Sequence, residues 1–125
     1  MVIMRQNGEN LNPIVLSEQP DSGLTIIEKF EKFAHTCSYA FAIFTPDDII
    51  QHEDNFYFQA RPNVIFEIGW FVAQLGRENT CILFQATEKS SIFSDFQGVI
   101  QKQFIDKISE LSREIGLELK EIGLI

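Results

Sequence analysis

The chain alternates short, continuously apolar segments with longer stretches in which apolar residues recur at helical spacing. The apolar segments predict strands at residues 13–17, 39–45 and 80–84. The second of these is apolar on both faces, as is typical of a strand at the centre of a parallel sheet. Because the strands alternate with helices, we expect helices on both faces of the sheet. The pattern therefore predicts a three-layer α/β fold.

Three stretches have the periodicity of amphipathic helices. In the first, residues 25–35, Thr25 and Glu28 have the spacing of a capping box, in which each side chain satisfies a free N–H at the helix start. The apolar stripe of this helix is expected to face the sheet. The charged residues expected on its outer face are Lys29, Glu31 and Lys32.

The second helix is predicted at residues 62–75, because Pro62 suits a first helical position and Gly76 suits a helix end. A last helix is predicted at residues 104–115, followed by a short edge strand at 117–119. About fifteen residues separate the central strand from the second helix. Connections of that length are uncommon in compact domains and usually form lids or binding loops.

Length and charge limit the class of protein. A chain of 125 residues is long enough to bury one core. The net charge of −8 argues against a nucleic acid as the main partner but does not exclude a small nucleotide. Neither a signal peptide nor an apolar run near the roughly 18 residues of a membrane span is evident, so we expect a cytoplasmic location.

The sequence predicts no metal site. Cys37 and Cys81 lie far apart and outside any zinc-type spacing, so both are interpreted as reduced core residues. Residues 52–54 and Asp47 offer nitrogen and oxygen ligands, but their spacing matches no metal motif. We interpret them as a solvated loop.

The second helix carries the most informative acidic residue. Its surface is apolar around most of the circumference, so it must be covered nearly everywhere. One narrow polar stripe contains Asn63, Glu67 and Gln74, flanked by Trp70 and Phe71. The stripe is either a solvated edge or the wall of a cleft in which aromatic residues desolvate one carboxylate. Periodicity alone does not choose between these two interpretations.

Five segments occur together in one order along the chain. They are SEQP at residues 17–20, TIIEKFEKF at 25–33, TPDD at 45–48, RPNVIFEIGWFVAQLGRENTCILF at 61–84 and SDFQG at 94–98. In the order and content of these five segments, the chain resembles the bacterial TIR-like family of nucleotide-binding proteins. This family includes effector domains of anti-phage systems. The resemblance covers residues 13–98 and implies a flavodoxin-like, TIR-like parallel sheet. Its most specific residues are Glu67, Gly69, Leu75, Gly76 and Arg77.

The resemblance implies an NAD⁺ glycohydrolase, an enzyme that cleaves the bond between nicotinamide and ribose. NAD⁺ is then the substrate, no bound cofactor is needed, and Glu67 aligns with the catalytic glutamate of such enzymes. One carboxylate suits this chemistry, because nicotinamide leaves as a neutral molecule while the ribosyl cation needs a nearby negative charge. The partners implied are NAD⁺ or a related nucleotide, a sensor domain or a cyclic-nucleotide trigger, and further copies of the chain.

Further binding residues are expected at the carboxyl ends of the strands, where parallel sheets bind ligands. Thr45, Asp47 and Asp48 follow the central strand, and a turn cap is the alternative role for them. Ser17 and Glu18 end the preceding strand on the same side of the sheet.

The second helix and its flanking loop supply other candidates. Arg61 precedes the helix and could contact a phosphate or pair with an acidic loop residue. Asn63 shares the stripe of the acidic residue, and Trp70 or Phe71 could line the pocket or pack in the core. Residues 56–58 could form a stacking or self-association surface, or a small cluster that pins the loop.

The chain departs from the family at its beginning, where members usually have another strand and a helix. Residues 1–12 are polar and short, so they are predicted to lie outside a domain of residues 13–125 that lacks these elements. The missing strand would lie between the strands at 13–17 and 39–45. Either the sequence is part of a longer protein, or the sheet closes differently, or a second chain fills the gap. Because open strand edges favour association, we predict a homo-oligomer or strand exchange if the chain is ordered as given. A complete five-stranded sheet within one chain would contradict this prediction.

Two other functions use the same cleft. A non-catalytic nucleotide-binding or assembly module would bind NAD⁺ or a cyclic nucleotide without turnover. An N-glycosidase would use the same glutamate on another nucleotide.

Overall fold

The computed structural model describes residues 1–7, 10–45, 48–59, 61–85 and 98–125. In these ranges seven strands and three α-helices follow one another along the chain. The strands are β1 (Val2–Asn7), β2 (Asn10–Val15), β3 (Cys37–Phe44), β4 (Asp48–His52), β5 (Asn55–Gln59), β6 (Thr80–Gln85) and β7 (Ile100–Phe104). The helices are α1 (Ile26–Ala34), α2 (Pro62–Leu75) and α3 (Ser112–Glu121).

Five strands form the central sheet in the order β2-β1-β3-β6-β7. The pairs β3/β6 and β6/β7 are parallel, whereas β1 is antiparallel to both of its neighbours. Four strands therefore run in one direction and β1 runs in the other. The predicted α/β fold class is confirmed, with a mixed sheet in place of a purely parallel one.

The side chains of the sheet alternate between two covered faces, as the two-residue period of a strand requires. Ile3, Ala40 and Ala42 belong to core clusters that include residues of α1 and α2. Tyr39 and Phe41 belong to the cluster formed with α3. The molecule thus has the three layers that the sequence predicts.

The prediction for residues 1–12 is wrong. Val2–Asn7 forms β1 and lies between β2 and β3, which is where the sequence predicts a missing strand. Ile3 is fully buried on one face of the sheet, and Val2 and Met4 pack on the other. Only two residues separate β1 from β2, with which it pairs antiparallel, so there is no room for a helix between the two strands.

Closure of the sheet within one chain also bears on assembly. The predicted homo-oligomer or strand exchange rested on a gap at the centre of the sheet. Because β1 pairs with both β2 and β3, that gap does not exist. The argument for association from open central edges is therefore wrong.

The first two helices are close to their predicted bounds. At the start of α1, Thr25 Oγ1 accepts a hydrogen bond from Glu28 N at 3.2 Å, and Thr25 N donates to Glu28 Oε1 at 3.1 Å. This is the predicted capping box. Helix α2 begins at Pro62 and is followed by Gly76, whose φ of 90° is one that glycine adopts readily.

The C-terminal prediction is wrong in its order of elements. Residues 100–104 form β7, and the predicted edge strand at 117–119 lies inside α3. Glu110 stabilises the turn between β7 and α3. Its carboxylate accepts hydrogen bonds from the backbone N–H groups of Ile105, Asp106 and Lys107 at 2.8–3.0 Å. These bonds hold a turn where the sequence predicts a continuous helix.

The long connection after β3 is partly regular. Strands β4 and β5 pair as an antiparallel hairpin, with the exposed residues Glu53 and Asp54 at its turn. Glu53 has a positive φ of 55°, which such tight turns often need. The predicted irregular binding loop thus contains a two-stranded hairpin. In the part of the chain that the structure describes, no helix is long and apolar enough to cross a membrane.

Candidate active site

A cleft of about 230 Å³ opens beside α1 and α2, near the end of β2. Its lining residues are Leu16, Ser17, Asp21, Ile26, Lys29, Phe30 and Glu67. The strand predicted at residues 13–17 ends at Val15, and Leu16–Glu18 form a 3₁₀ turn. This turn brings Ser17 to the same cleft as Glu67, which lies fifty positions later in the chain.

Glu67 is half-buried in α2 and faces this cleft. Burial raises the pKa of the Glu67 carboxyl above its ordinary value. The ammonium group of Met1, a hydrogen bond donated by the Asn63 amide and the charge of Lys29 all act in the opposite direction without cancelling the effect of burial. A carboxylate beside a cavity is the geometry that the cleft interpretation of the polar stripe requires.

Phe30, which lines the cleft with Glu67, packs against two aromatic residues of α2. The Phe30 ring lies 5.4 Å from the Trp70 ring and 5.6 Å from the Phe71 ring, measured between centroids. Phe71 has no exposed surface and packs in the core, so it does not line a pocket as the sequence allowed. Trp70 is half-buried and packs against the same core cluster. Of the two roles that the sequence allowed for Trp70 and Phe71, pocket lining or core packing, the structure shows core packing for both.

Lys29 is one of the cleft residues that sequence reasoning missed. It was expected on the outer face of α1, but only 8% of its surface is exposed. Its Nζ donates hydrogen bonds to the Gln19 carbonyl oxygen at 2.8 Å and to Asp21 Oδ1 at 2.9 Å. A signal was present, because Lys29 lies four positions before Phe33, which packs against the core cluster beneath α1.

The other candidates near the strand ends are distributed more widely. Glu18 is exposed and adjoins the cleft residue Ser17 in the chain, whereas Thr45 follows β3. Neither belongs to the described lining of the cleft. The backbone of Asp48 begins β4 and pairs with Gln59. Asp47 lies outside the described residues.

The start of α2 places two further candidates. Arg61 is exposed at the N-cap, and its carbonyl oxygen accepts hydrogen bonds from Val64 N at 3.0 Å and Ile65 N at 3.3 Å. Its side chain is not part of the described lining. Asn63 is exposed one turn before Glu67, with which it shares a hydrogen bond. Of these two residues, only Asn63 is linked to the acidic residue.

The two cysteines belong to the core. Cys81 is fully buried on the α3 side of the sheet, and Cys37 is half-buried on the other side. Burial raises the pKa of the Cys81 thiol to about 12, and it also raises the pKa of Cys37. Both thiols are therefore protonated and unreactive at neutral pH. In the described ranges, no group of three or more His, Cys, Asp or Glu residues could hold a metal ion.

Comparison with known proteins adds to this geometry. A family model described as "CAP12/Pycsar effector protein, TIR domain" matches residues 2–106. Protein YuaY of Escherichia coli K12, which is uncharacterized, is 35% identical over 116 residues, covering 91% of this chain and 38% of YuaY. Protein tirC of Dictyostelium discoideum is 31% identical over 114 residues, covering 83% of this chain and 57% of tirC.

A named effector matches a shorter part of the chain. The Pycsar effector protein PaPycTIR of Pseudomonas aeruginosa is 36% identical over 73 residues, covering 58% of this chain and 24% of PaPycTIR. The chain thus spans less than two thirds of the length of each of these relatives.

The family match and the structure agree on the extent of the domain. The matched residues begin with β1 and continue through β7, so they include the strand at the centre of the sheet as well as α2. The resemblance to bacterial TIR-like proteins is thereby confirmed. The chain belongs to the TIR domains of the CAP12/Pycsar effector proteins.

Proposed function

We propose that this TIR domain is an NAD⁺ glycohydrolase that acts in the cytoplasm as an effector of anti-phage defence. Glu67 is the catalytic residue, and the nicotinamide–ribose bond is the bond it helps to break. The observation that supports the proposal most is the position of Glu67, half-buried beside a cleft that also contains a hydroxyl group and a buried ammonium group.

The reaction needs one well-placed negative charge. When the bond between ribose C1′ and the nicotinamide nitrogen breaks, its electron pair goes to nicotinamide, which leaves as a neutral molecule. Positive charge then develops on the ribose, where the Glu67 carboxylate stabilises it and accepts hydrogen bonds from the ribose hydroxyls. Water adds to C1′ and releases one proton, which completes the hydrolysis without a cofactor.

The size of the cleft suits part of a dinucleotide. Pockets that enclose drug-sized ligands usually measure about 300–1,000 Å³, and this cleft is smaller, at about 230 Å³. We therefore place the nicotinamide riboside end of NAD⁺ inside it and the remainder outside. Ile26 and Phe30 offer an apolar wall for the nicotinamide ring, and Ser17 offers a hydroxyl for the sugar.

The remaining predicted residues stay candidates for the outer part of the substrate. Arg61 is exposed and could contact the diphosphate. Glu18 and Thr45 lie near the strand ends, and Asp47 and Asp48 follow in the chain. The proposed trigger is a cyclic nucleotide sensed by another part of the effector. Assembly of several copies is proposed from the family resemblance alone, because the complete sheet removes the argument from open strand edges.

Release of nicotinamide from NAD⁺ tests the proposal. We expect the purified protein to produce nicotinamide and ADP-ribose, measured by chromatography. Glu67→Gln should lower kcat by about 10²–10³-fold, because it removes the charge that stabilises the transition state while nearly preserving side-chain shape. The matched control is Glu31→Gln, at an exposed position of α1, which should leave the rate unchanged.

Three other results would separate the alternatives. Absence of product from concentrated wild-type protein, with any activating partner also present, contradicts the enzymatic proposal. Calorimetric binding of NAD⁺ without turnover would favour a nucleotide-binding or assembly module. Release of a base from another nucleotide, but not from NAD⁺, would favour an N-glycosidase of different specificity.

A further inference from the structure

The cleft contains a buried lysine that the proposed reaction does not use. Lys29 Nζ is held by the Gln19 carbonyl oxygen at 2.8 Å and by Asp21 Oδ1 at 2.9 Å. An ammonium group has three donors, and in the described part of the chain these two oxygens are its hydrogen-bond acceptors. A third donor is therefore available to the cleft that Lys29 shares with Glu67.

The two members of this ion pair differ in their contact with water. The side chain of Lys29 is 10% exposed, whereas that of Asp21 is 80% exposed. Water and salt screen an exposed carboxylate much more than a buried ammonium. The Asp21 charge therefore offsets only part of the Lys29 charge, and the cleft retains a positive contribution from α1.

The positions of the two oxygens that bind Lys29 Nζ, from Gln19 and Asp21, matter as much as its charge. In the described ranges Lys29 forms its ion pair with Asp21 and not with Glu67. If Lys29 paired directly with Glu67, it would occupy carboxylate lone pairs that a sugar hydroxyl needs. Asp21 and Gln19 hold the ammonium at the side of the cleft, near enough to act on Glu67 through space.

We propose that Lys29 is a positioning residue for Glu67: tethered by Gln19 and Asp21, it keeps the carboxylate ionised in the cleft without itself occupying the carboxylate oxygens. This inference rests on the proposed function, because it assigns a role within that same site. It adds a second charged residue to a centre that the family resemblance describes through one glutamate.

The other groups that act on Glu67 set the direction of the expected effect. Burial raises the pKa of Glu67, while the ammonium of Met1, the hydrogen bond from Asn63 and the charge of Lys29 lower it. Asp21, from the segment before α1, carries the only other cleft charge in the described lining. Removal of Lys29 takes away a lowering influence, so the pKa of Glu67 should rise further.

The pKa of Glu67 can be measured directly by ¹³C NMR of the labelled carboxyl group, assigned by its absence in Glu67→Gln. We expect Lys29→Met to raise this pKa and Lys29→Arg, which keeps the charge, to restore it. A rise of about one unit lowers the ionised fraction about tenfold at pH values below both pKa values. In Lys29→Met the acid limb of the kcat/KM profile should therefore move to higher pH. At pH values above the raised pKa, kcat/KM should return to the wild-type value.

Asp21→Asn is a second variant, and it should change the pKa of Glu67 in the opposite direction. Its side chain is mostly exposed, so the substitution should not disturb folding. The Gln19 carbonyl oxygen and the new amide oxygen still accept hydrogen bonds from Lys29, but the negative charge that partly offsets the ammonium is gone, so the pKa of Glu67 should fall. The acid limb of kcat/KM should therefore move to lower pH, in the direction opposite to that of Lys29→Met.

The two possible failures are distinguishable. An unchanged pKa of Glu67 in folded Lys29→Met and Asp21→Asn overturns the role of Lys29, whatever the activity. The expected pKa changes without nicotinamide release from any variant would support the electrostatic role and contradict the proposed reaction. Thermal melting curves identify variants that are folded.

Discussion

Glu67 and Lys29 illustrate what a single residue can and cannot reveal in a sequence. The periodicity of α2 isolates Glu67 on a polar stripe, but it contains no information on what covers that stripe. The cover comes from α1 and from the turn that carries Ser17, both distant in the chain. Lys29 was misassigned because a charged residue on a helix is usually solvated. Its burial depends on acceptors supplied by Gln19 and Asp21.

Asn63 gives a prediction at this scale. Its hydrogen bond stabilises the ionised form of Glu67 and lowers the pKa of that carboxyl. Asn63→Ala should therefore raise the pKa and shift the acid limb of the pH–rate profile to higher pH. Gln74→Ala, at an exposed position of the same stripe, is the control. Identical acid limbs for Asn63→Ala and the wild type would contradict the prediction.

At the scale of elements, the sequence predicts those with strong local signals. Helix α1 has its capping box, α2 has Pro62 and Gly76 at its ends, and β3 and β6 are continuously apolar. The C-terminal elements were misplaced because Phe104 and Ile105 match helical spacing by coincidence. Phe104 is buried as the last residue of β7, whereas Ile105 is 66% exposed.

Glu110 provides a test of the turn that separates β7 from α3. Hydrogen bonds from the backbone N–H groups of Ile105, Lys107 and Asp106 lower the pKa of its carboxyl. A carboxyl with a lowered pKa contributes stability above its unfolded-state pKa and loses it as the pH falls through its folded-state pKa. Glu110→Gln should therefore lower the Tm at neutral pH, and the difference should shrink in acid.

The measurement is a series of thermal melting curves between neutral pH and the acid range. Glu121→Gln, at an exposed position at the end of α3, is the matched control and should show little change at either pH. Equal Tm values for Glu110→Gln and the wild type at neutral pH would show that the turn does not depend on this carboxylate.

On the scale of the whole molecule, β1 joins the two cores. Ile3 packs in the cluster beneath α1 and α2, and Val2 and Met4 pack in the cluster beneath α3. The three-layer fold could be predicted from the sequence, but this strand could not. Three apolar residues among polar neighbours carry no clear period, and the partners that stabilise them, such as Ala40 and Tyr39, lie far along the chain.

Ile3→Ala tests the central role of β1. Ile3 is fully buried, and truncation of such a side chain typically lowers the free energy of unfolding by about 2–5 kcal/mol. Urea denaturation should show this loss, and Leu117→Ala, at an exposed position, should change stability by about 0.5 kcal/mol or less. Equal losses for the two variants would mean that β1 is not part of the core.

The same strand also reaches the rim of the cleft. Leu16 N donates a hydrogen bond to the Met1 carbonyl oxygen at 3.1 Å, directly before the turn that carries Ser17. The paired β1–β2 ribbon thus extends from Asn7 and Asn10 to Val2 and Val15, next to the turn whose Leu16 and Ser17 line the cleft together with Glu67. A slip of this ribbon by one residue would turn its inward side chains outward and carry Ser17 away from the glutamate. The register of the β1–β2 pair therefore helps to determine the distance between Ser17 and Glu67 in the cleft.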